Sequence, residues 1–143
     1  MKKLRSIIVL SVFFLFMGIV PSYGQVFSGD FCWSFTANGD SGILDLGVTE
    51  IGNGHVLTTG LFTTTSPSFA QSIINGNAEL LSDGIHATLT RSRFEGAGIT
   101  HSVMHMFLNA TLDGFFEESV TFDDGVNLVT SFRTGSLFSI RCP

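Results

Sequence analysis

Short runs of alternating apolar and polar residues recur along the chain after residue 24. In one run Leu44, Leu46 and Val48 share a face, and Asp45 and Thr49 share the opposite one. Because successive side chains of a β-strand point to opposite faces, this period of two predicts strands with one buried face. No segment repeats the i, i+3, i+4, i+7 apolar spacing of an amphipathic helix, and Thr, Val, Ile and Phe dominate the runs.

Seven turn signals divide these runs into eight predicted strands. Each contains glycine, which accepts a positive φ, or proline and Asx residues, which favour a tight reversal. In chain order the signals are Asn38-Gly39-Asp40, Gly52-Asn53-Gly54, Ser66-Pro67-Ser68, Ser82-Asp83-Gly84, Glu95-Gly96-Ala97-Gly98, Asp113-Gly114 and Asp123-Asp124-Gly125. The longest predicted apolar face consists of Met104, Met106, Leu108, Ala110 and Leu112.

Eight antiparallel strands joined by short turns must protect their edges, and an up-and-down barrel removes the edges by closing the sheet. The pattern therefore predicts an all-β chain folded as an eight-stranded antiparallel barrel, with a two-sheet β-sandwich as the alternative. An immunoglobulin-type sandwich is disfavoured, because its cysteines lie well inside the domain. Here Cys32 and Cys142 lie near the two ends.

The two cysteines allow only one disulfide, Cys32–Cys142, if the chain is exported to an oxidising compartment. Such a bond implies that the first and last strands are neighbours. If the cysteines lie directly opposite each other, Trp33 falls opposite Arg141. This pairing places Trp33 and Ile140 on conflicting faces, so either Cys142 lies beyond the paired strands or a bulge shifts the register.

An early Trp33 covered by a late Arg141 resembles the closed end of lipocalin-type (calycin) barrels. Phe31 occupies the position at which that family's Gly-x-Trp motif has glycine. The resemblance implies closure of this end by a cation–π contact between the guanidinium and the indole.

The first 24 residues have the pattern of a secretory signal peptide. Lys2, Lys3 and Arg5 precede an apolar run that ends at Val20, and small residues then predict cleavage before Gln25. The run is shorter than the roughly 20 residues of a membrane span, and no second apolar run of that length follows. We therefore expect an exported protein, periplasmic or secreted, with no transmembrane anchor after cleavage.

Cleavage would leave residues 25–143 as a single domain with four arginines, no lysine and twelve acidic residues, a formal charge of −8 (4 − 12). Nucleic-acid binding needs a basic surface, which this composition lacks. The sequence also has no cofactor-binding motif, no nucleophile elbow and no phosphate-binding glycine loop, so it gives no indication of an enzyme. The sequence does not identify a protein partner.

Two arginines and one glutamate are candidate polar groups of the barrel interior. Arg91 and Arg93 continue the apolar face of the fifth strand, where they could meet a carboxylate or phosphate of a ligand at the barrel mouth. Glu117 and Glu118 point to opposite faces as strand neighbours. Glu118 shares its face with Phe116, so it is either a polar group of the interior or a solvated residue near the strand end.

Two histidines were considered as metal ligands. On a strand, His101 and His105 are separated by about 13 Å, which is too far for one metal ion. The sequence therefore predicts no metal site, and the two histidines are expected on the polar outer face.

These patterns together favour an exported barrel that binds a small, mostly apolar molecule in its interior, since ligand pockets combine apolar walls with a few polar groups. The alternative is a protein-interaction or inhibitor module whose barrel is filled by side chains. The predicted ligand-binding residues are Phe62, Arg91, Arg93, Met104, Met106, Phe116, Glu118 and Phe122.

Overall fold

The computed structural model describes residues 28–143, and the predicted signal peptide, residues 1–24, lies outside the described residues. The described chain forms one closed barrel in which each strand pairs antiparallel with the next, and β8 returns to β1. The predicted eight-stranded up-and-down barrel is therefore confirmed. Its strands are β1 (Ser28–Ala37), β2 (Asp40–Gly52), β3 (His55–Ser66), β4 (Ala70–Leu81), β5 (Gly84–Glu95), β6 (Gly98–Leu108), β7 (Gly114–Asp123) and β8 (Leu128–Ile140).

Six of the predicted turns are confirmed as the connections between strands. The turn between β1 and β2 shows why glycine and asparagine recur there: Asn38 and Gly39 have φ values of 49° and 91°. The prediction for the β6–β7 connection is wrong in its bounds. β6 ends at Leu108, and residues 109–113 form a loop, so Ala110 and Leu112 do not extend the strand.

The contact between β1 and β8 is the shortest ladder of the barrel, with five residue pairs from Cys32↔Ile140 to Thr36↔Ser136. Cys142 lies two residues beyond β8 and bonds to Cys32 across a Cα–Cα distance of 5.1 Å. The predicted disulfide is confirmed, and the first of the two register alternatives is the one that the structure adopts. The prediction that Trp33 lies opposite Arg141 is wrong, because Ser139 occupies that position.

The middle of the barrel is filled by aromatic side chains. The rings of Phe35 and Phe62 stack with centroids 4.4 Å apart, and Phe116 meets Phe35 edge-on at 6.1 Å. Leu44 and Ile74 are fully buried beside them. Gly135 of β8 leaves the space that the Phe116 ring occupies, since a Cβ at this position would collide with the ring. This packed layer divides the interior into an apolar end and a polar end.

The outward faces carry mainly polar side chains, with exposed apolar residues distributed over strands β2 to β8 and several of them at the β7–β8 hairpin. Val126, Leu128 and Phe132 are 90%, 70% and 79% exposed. Within residues 28–143, the segment of β8 from Leu128 to Gly135 pairs with β7 but with no strand on its other side. The same described part contains no helix that is long and apolar enough to cross a membrane.

Candidate functional site

An apolar cavity of about 150 Å³ lies inside the barrel at the end where β1 begins. Its walls come from the inward faces of six strands and from the β6–β7 loop, because alternation directs every second apolar residue of each strand into the interior. The residues that define its shape include Trp33, Leu46, Val56, Ala87, Met106 and Leu112. The cavity thus has two causes. The period-two pattern directs apolar side chains into the interior, and the small residues Ala78 on β4 and Ala87 on β5 leave space between their larger neighbours.

One buried polar atom faces this otherwise apolar cavity wall. Thr58 lines the cavity with only 7% of its surface exposed, and its hydroxyl oxygen has no hydrogen-bond partner among the described residues. A buried hydroxyl without a partner costs about 1–3 kcal/mol. A hydroxyl that is retained at this cost inside an apolar wall is a candidate contact for a polar atom of a ligand.

Glu50 is the one charged residue among the described residues that line the cavity. It belongs to the inward face of β2, lies opposite Val56 near the end of the strand, and is half-buried. No ion pair or hydrogen bond connects its side chain to another residue of the described chain. The cavity therefore has an available carboxylate close to its open end.

The β6–β7 loop covers one side of the cavity and is held by a network of hydrogen bonds. The indole Nε1 of Trp33 donates to the carbonyl oxygen of Leu112 at 2.7 Å. Asp113 accepts from the backbone N–H of Ser139 at 2.8 Å, which ties the loop to β8. Inside the loop, Asn109 Oδ1 accepts from the backbone N–H groups of Thr111 and Asp113.

Leu112 adopts an unusual backbone conformation within this loop, with φ at 66°. A leucine in the left-handed region is disfavoured, at a cost of about 1–3 kcal/mol that the surrounding contacts must offset. This conformation lets Leu112 line the cavity while its carbonyl accepts from Trp33. Trp33 and Leu112 together form the rigid cover on this side.

A buried ion cluster occupies the interior on the far side of the aromatic layer. Glu118 accepts from Arg91 Nε at 2.9 Å and from Arg133 Nε at 2.6 Å. Arg133 Nη1 also pairs with Asp40 Oδ2 at 2.9 Å. The cluster arises from register, because β7 and β8 place Glu118 directly opposite Arg133.

Arg91 is held on every side in this cluster. It donates to Ser102 and Ser72, and its guanidinium lies 4.1 Å from the centroid of the Phe62 ring. Burial lowers the pKa of Arg91 below its usual value, while the charge and the hydrogen bond of Glu118 oppose this effect. With its donors engaged by protein groups, Arg91 is a structural member of the charge cluster, and its hydrogen bonds join β5 to β4, β6 and β7.

Arg93 and Glu95 form a smaller ion pair near the same end of the barrel. Arg93 Nη2 lies 2.8 Å from Glu95 Oε1, and Thr100 donates to Glu95 Oε2 at 2.7 Å. The hydrogen bond from Thr100 is the largest cause of a lowered pKa of Glu95, and Arg93 acts in the same direction. Arg93 Nε is buried without a partner in the described chain, as is Arg133 Nη2.

The structure divides the predicted ligand-binding residues between three places. Met106 lines the apolar cavity. Phe62, Met104 and Phe116 belong to the packed middle of the barrel. The remaining ones, Arg91, Arg93, Glu118 and Phe122, lie on the far side of that layer, where the ring of Phe122 packs on Gly98. Arg91 and Glu118 both face inward, where they contact each other and do not line the apolar cavity.

His101 and His105 lie on the outer face of β6, as expected. Their Nδ1 atoms are within hydrogen-bond distance of Ser92 Oγ and Thr88 Oγ1, at 2.7 and 3.2 Å. Among the described residues, the one group with metal-ligand geometry is Cys32, Asp45 and Cys142. The two sulfur atoms of that group are bonded to each other, so they are not available as thiolate ligands.

The principal cavity residues Trp33, Thr58 and Glu50 were not among the predicted ligand-binding residues. The sequence contains a signal for Glu50, which continues the face of Leu46 and Val48 on β2. What alternation does not provide is the depth of each residue along the barrel, which depends on the stagger between strands. That stagger decides which inward residues meet in the cavity and which meet in the packed layer.

Comparisons with protein-family models, with curated proteins and with solved structures find no match for this chain.

Proposed function

We propose that this protein is an exported carrier or sensor that binds a small, mostly apolar molecule in the cavity beside Trp33. The observation that carries the proposal is the cavity itself, about 150 Å³ of apolar space in an interior that is otherwise closely packed. Protein interiors normally have few voids larger than a water molecule, because each void sacrifices packing contacts. A void of this size is a feature that a filled barrel does not need.

The volume of the cavity sets the size of the ligand. An apolar cavity of about 150 Å³ accommodates a molecule of the size of benzene. Typical small-molecule pockets are larger, at roughly 300–1,000 Å³. We therefore expect a ligand with a six-membered ring or a short alkyl chain in the cavity, with any further atoms directed toward the open end near Glu50.

Export of the protein is part of this proposal. The Cys32–Cys142 disulfide is compatible with an oxidising compartment, where such bonds persist. The signal-peptide pattern of residues 1–24 supports the same location. The layout of the barrel, with an early tryptophan at one end, also agrees with the lipocalin-type resemblance, although Arg141 does not cover the indole.

The alternative function is a protein-interaction or inhibitor module, and the β7–β8 hairpin is the observation that favours it. Val126, Leu128 and Phe132 are exposed there, next to the segment of β8 that lacks a second strand neighbour in the described chain. Exposed apolar residues and unpaired strand edges are common features of surfaces that bind other chains. In that case the hairpin, and not the cavity, would be the functional site.

Native mass spectrometry of the protein purified from the exported fraction tests the carrier function directly. A bound mass of up to a few hundred daltons that is lost on denaturation supports it. In parallel, small aromatic probes such as benzene and toluene are titrated while the fluorescence of Trp33, the single tryptophan of the chain, is followed.

A pair of alanine variants separates cavity binding from binding elsewhere. Ala87→Leu fills the cavity that Ala87 lines, and Ala97→Leu adds the same atoms to the exposed β5–β6 turn. We expect Ala87→Leu to abolish probe binding and Ala97→Leu to retain it. Equal binding by both variants, or the absence of binding by the unmodified protein, would contradict the carrier function and favour the interaction module.

A further inference from the structure

We infer that the cavity selects a small hydroxylated amine, with its ammonium group at Glu50 and its hydroxyl group at Thr58. This inference rests on the proposed function and goes beyond it by naming the chemical class of the ligand. Three features of the described chain carry it: the free carboxylate of Glu50, the unpartnered hydroxyl of Thr58, and the distribution of the arginines.

The charge of the cavity wall excludes the most common class of amphiphilic ligand, the carboxylic acids. Glu50 would repel an anionic head group, and a like charge close to a bound ligand disfavours binding. Among the described residues, none of the four arginines lines the wall, Arg141 included. Arg91, Arg93 and Arg133 each pair with a carboxylate at the other end of the barrel, and none of the three lines the cavity.

An ammonium group fits the same position well. Glu50 is half-buried at the end of β2 and makes no ion pair in the described chain, so its oxygens can accept from a cation that enters from solvent. Partial burial makes such a hydrogen bond stronger than one at an open surface, because water screens the charges less. The negative formal charge of the protein also favours the approach of cations.

The position of Thr58 defines the other end of the ligand. Thr58 lies opposite Val48, two residues before Glu50 on the same inward face of β2. Two residues of a strand span about 7 Å. Along the strand direction, the backbone positions of Thr58 and Glu50 are therefore about as far apart as the ends of a six-membered ring with a short linker. A ligand hydroxyl at the inner end would satisfy the buried Thr58 oxygen, which has no partner in the described chain.

The aromatic residues of the wall suit the apolar part that must lie between these two groups. Phe31 and Trp33 line the cavity and stack with centroids 6.2 Å apart. A ring or a short alkyl chain would contact the indole on one side and Met106 and Ala87 on others. Aryl and alkyl amines with one hydroxyl group therefore complement the cavity along its length: the ammonium group at Glu50, the apolar part at the aromatic wall and the hydroxyl group at Thr58.

The test is a titration of the intact protein with four probes of similar shape: tyramine, 2-phenylethylamine, 2-phenylethanol and phenylacetate. Calorimetry measures each affinity, and the fluorescence of Trp33 reports occupancy of the cavity. We expect tyramine to bind most tightly, phenylacetate to bind at least tenfold more weakly than 2-phenylethylamine, and the amine affinities to fall with added salt. Equal affinities for the amine, the alcohol and the acid would overturn the inference.

Two substitutions assign each end of the ligand to its residue. Glu50→Gln should weaken both amines about five- to tenfold and leave 2-phenylethanol unchanged. Its matched control is Glu79→Gln, which removes an exposed carboxylate outside the cavity wall. Thr58→Val, which keeps the shape of the side chain, should weaken tyramine about fivefold and leave 2-phenylethylamine unchanged.

The outcomes distinguish this inference from the proposed function. If Glu50→Gln and Glu79→Gln bind the amines equally, the ammonium site is wrong. If Thr58→Val binds tyramine as tightly as the unmodified protein, the hydroxyl site is wrong. In both cases binding of 2-phenylethanol or toluene would still support an apolar carrier. If no probe binds and no ligand is found by native mass spectrometry, both the inference and the proposed function are overturned.

Discussion

Trp33 donates its indole N–H to the carbonyl oxygen of Leu112 at 2.7 Å, and this single bond links β1 to the loop between β6 and β7. Both residues also line the apolar cavity. The bond therefore has two consequences, because it satisfies the indole N–H in a mostly apolar environment and fixes the loop over the cavity.

Replacing Trp33 by Phe tests the first consequence. The variant removes the donor and leaves the Leu112 carbonyl without its partner, so we expect the free energy of unfolding to fall by about 1–3 kcal/mol, with a further loss from reduced packing. Urea unfolding followed by circular dichroism measures the change, since the variant has no tryptophan. An unfolding free energy equal to that of the original protein would show that the bond does not stabilise the loop.

Glu118 is the central residue of the buried ion cluster, between Arg91 and Arg133. Glu118→Gln keeps the shape of the side chain but leaves the two guanidinium groups without their shared carboxylate. Breaking a buried ion pair by removing one partner is strongly destabilising, so we expect a loss of about 3–5 kcal/mol in urea unfolding. Glu117→Gln, on the exposed outer face of the same strand, is the control and should change stability by less than about 0.5 kcal/mol. Similar stabilities for the two variants would contradict the structural role of the cluster.

The barrel was predictable from the sequence because each of its determinants is local. Alternation such as that of Leu44, Leu46 and Val48 identified the strands, and glycine and asparagine residues identified the turns. The β6–β7 connection was harder, because Ala110 and Leu112 continue the apolar alternation of β6 although the strand ends at Leu108. There Asn109 accepts hydrogen bonds from the loop backbone, and these bonds stabilise the loop although the apolar alternation continues. The apolar pattern alone does not reveal such bonds.

The site was less predictable, because it depends on contacts between residues that are distant in the sequence. Arg91 and Glu118 each lie on an apolar face of their strand, but the local pattern shows neither that this face points inward nor that the two residues meet across 27 positions. Trp33 and Arg141 illustrate the same limit, since a shift of two residues in the β1–β8 register separates them. The register between β1 and β8 depends on the stagger of every other strand pair, because these staggers add up around the closed barrel.

The pKa of Glu95 leads to a prediction about acid sensitivity. Its pKa is lowered in the folded protein, mainly by the hydrogen bond from Thr100, so this carboxylate stabilises the fold above its unfolded pKa of 4.5. The contribution is lost as the pH falls from that value through the lowered folded pKa. A carboxyl titration by NMR should show Glu95 titrating below the usual range, and Thr100→Val should raise its pKa. Thr100→Ser, which retains the hydroxyl group, should keep the pKa low, and an equal pKa in Thr100→Val and Thr100→Ser would contradict this assignment.

The Cys32–Cys142 disulfide closes the barrel at its shortest ladder and joins residues 110 positions apart. In the chain-entropy model, a loop of about 100 residues corresponds to roughly 4–5 kcal/mol of stabilisation through the unfolded state. We expect reduction to lower the urea midpoint of unfolding and to increase the surface exposed on unfolding, because the reduced chain expands more completely. The control compares the reduced protein with Cys32→Ala/Cys142→Ala, since the reduced protein keeps both sulfur atoms and the variant removes them. If the reduced protein and the oxidised protein unfold at the same urea concentration, the five-pair ladder holds β1 to β8 without the bond, and the disulfide has no stabilising role.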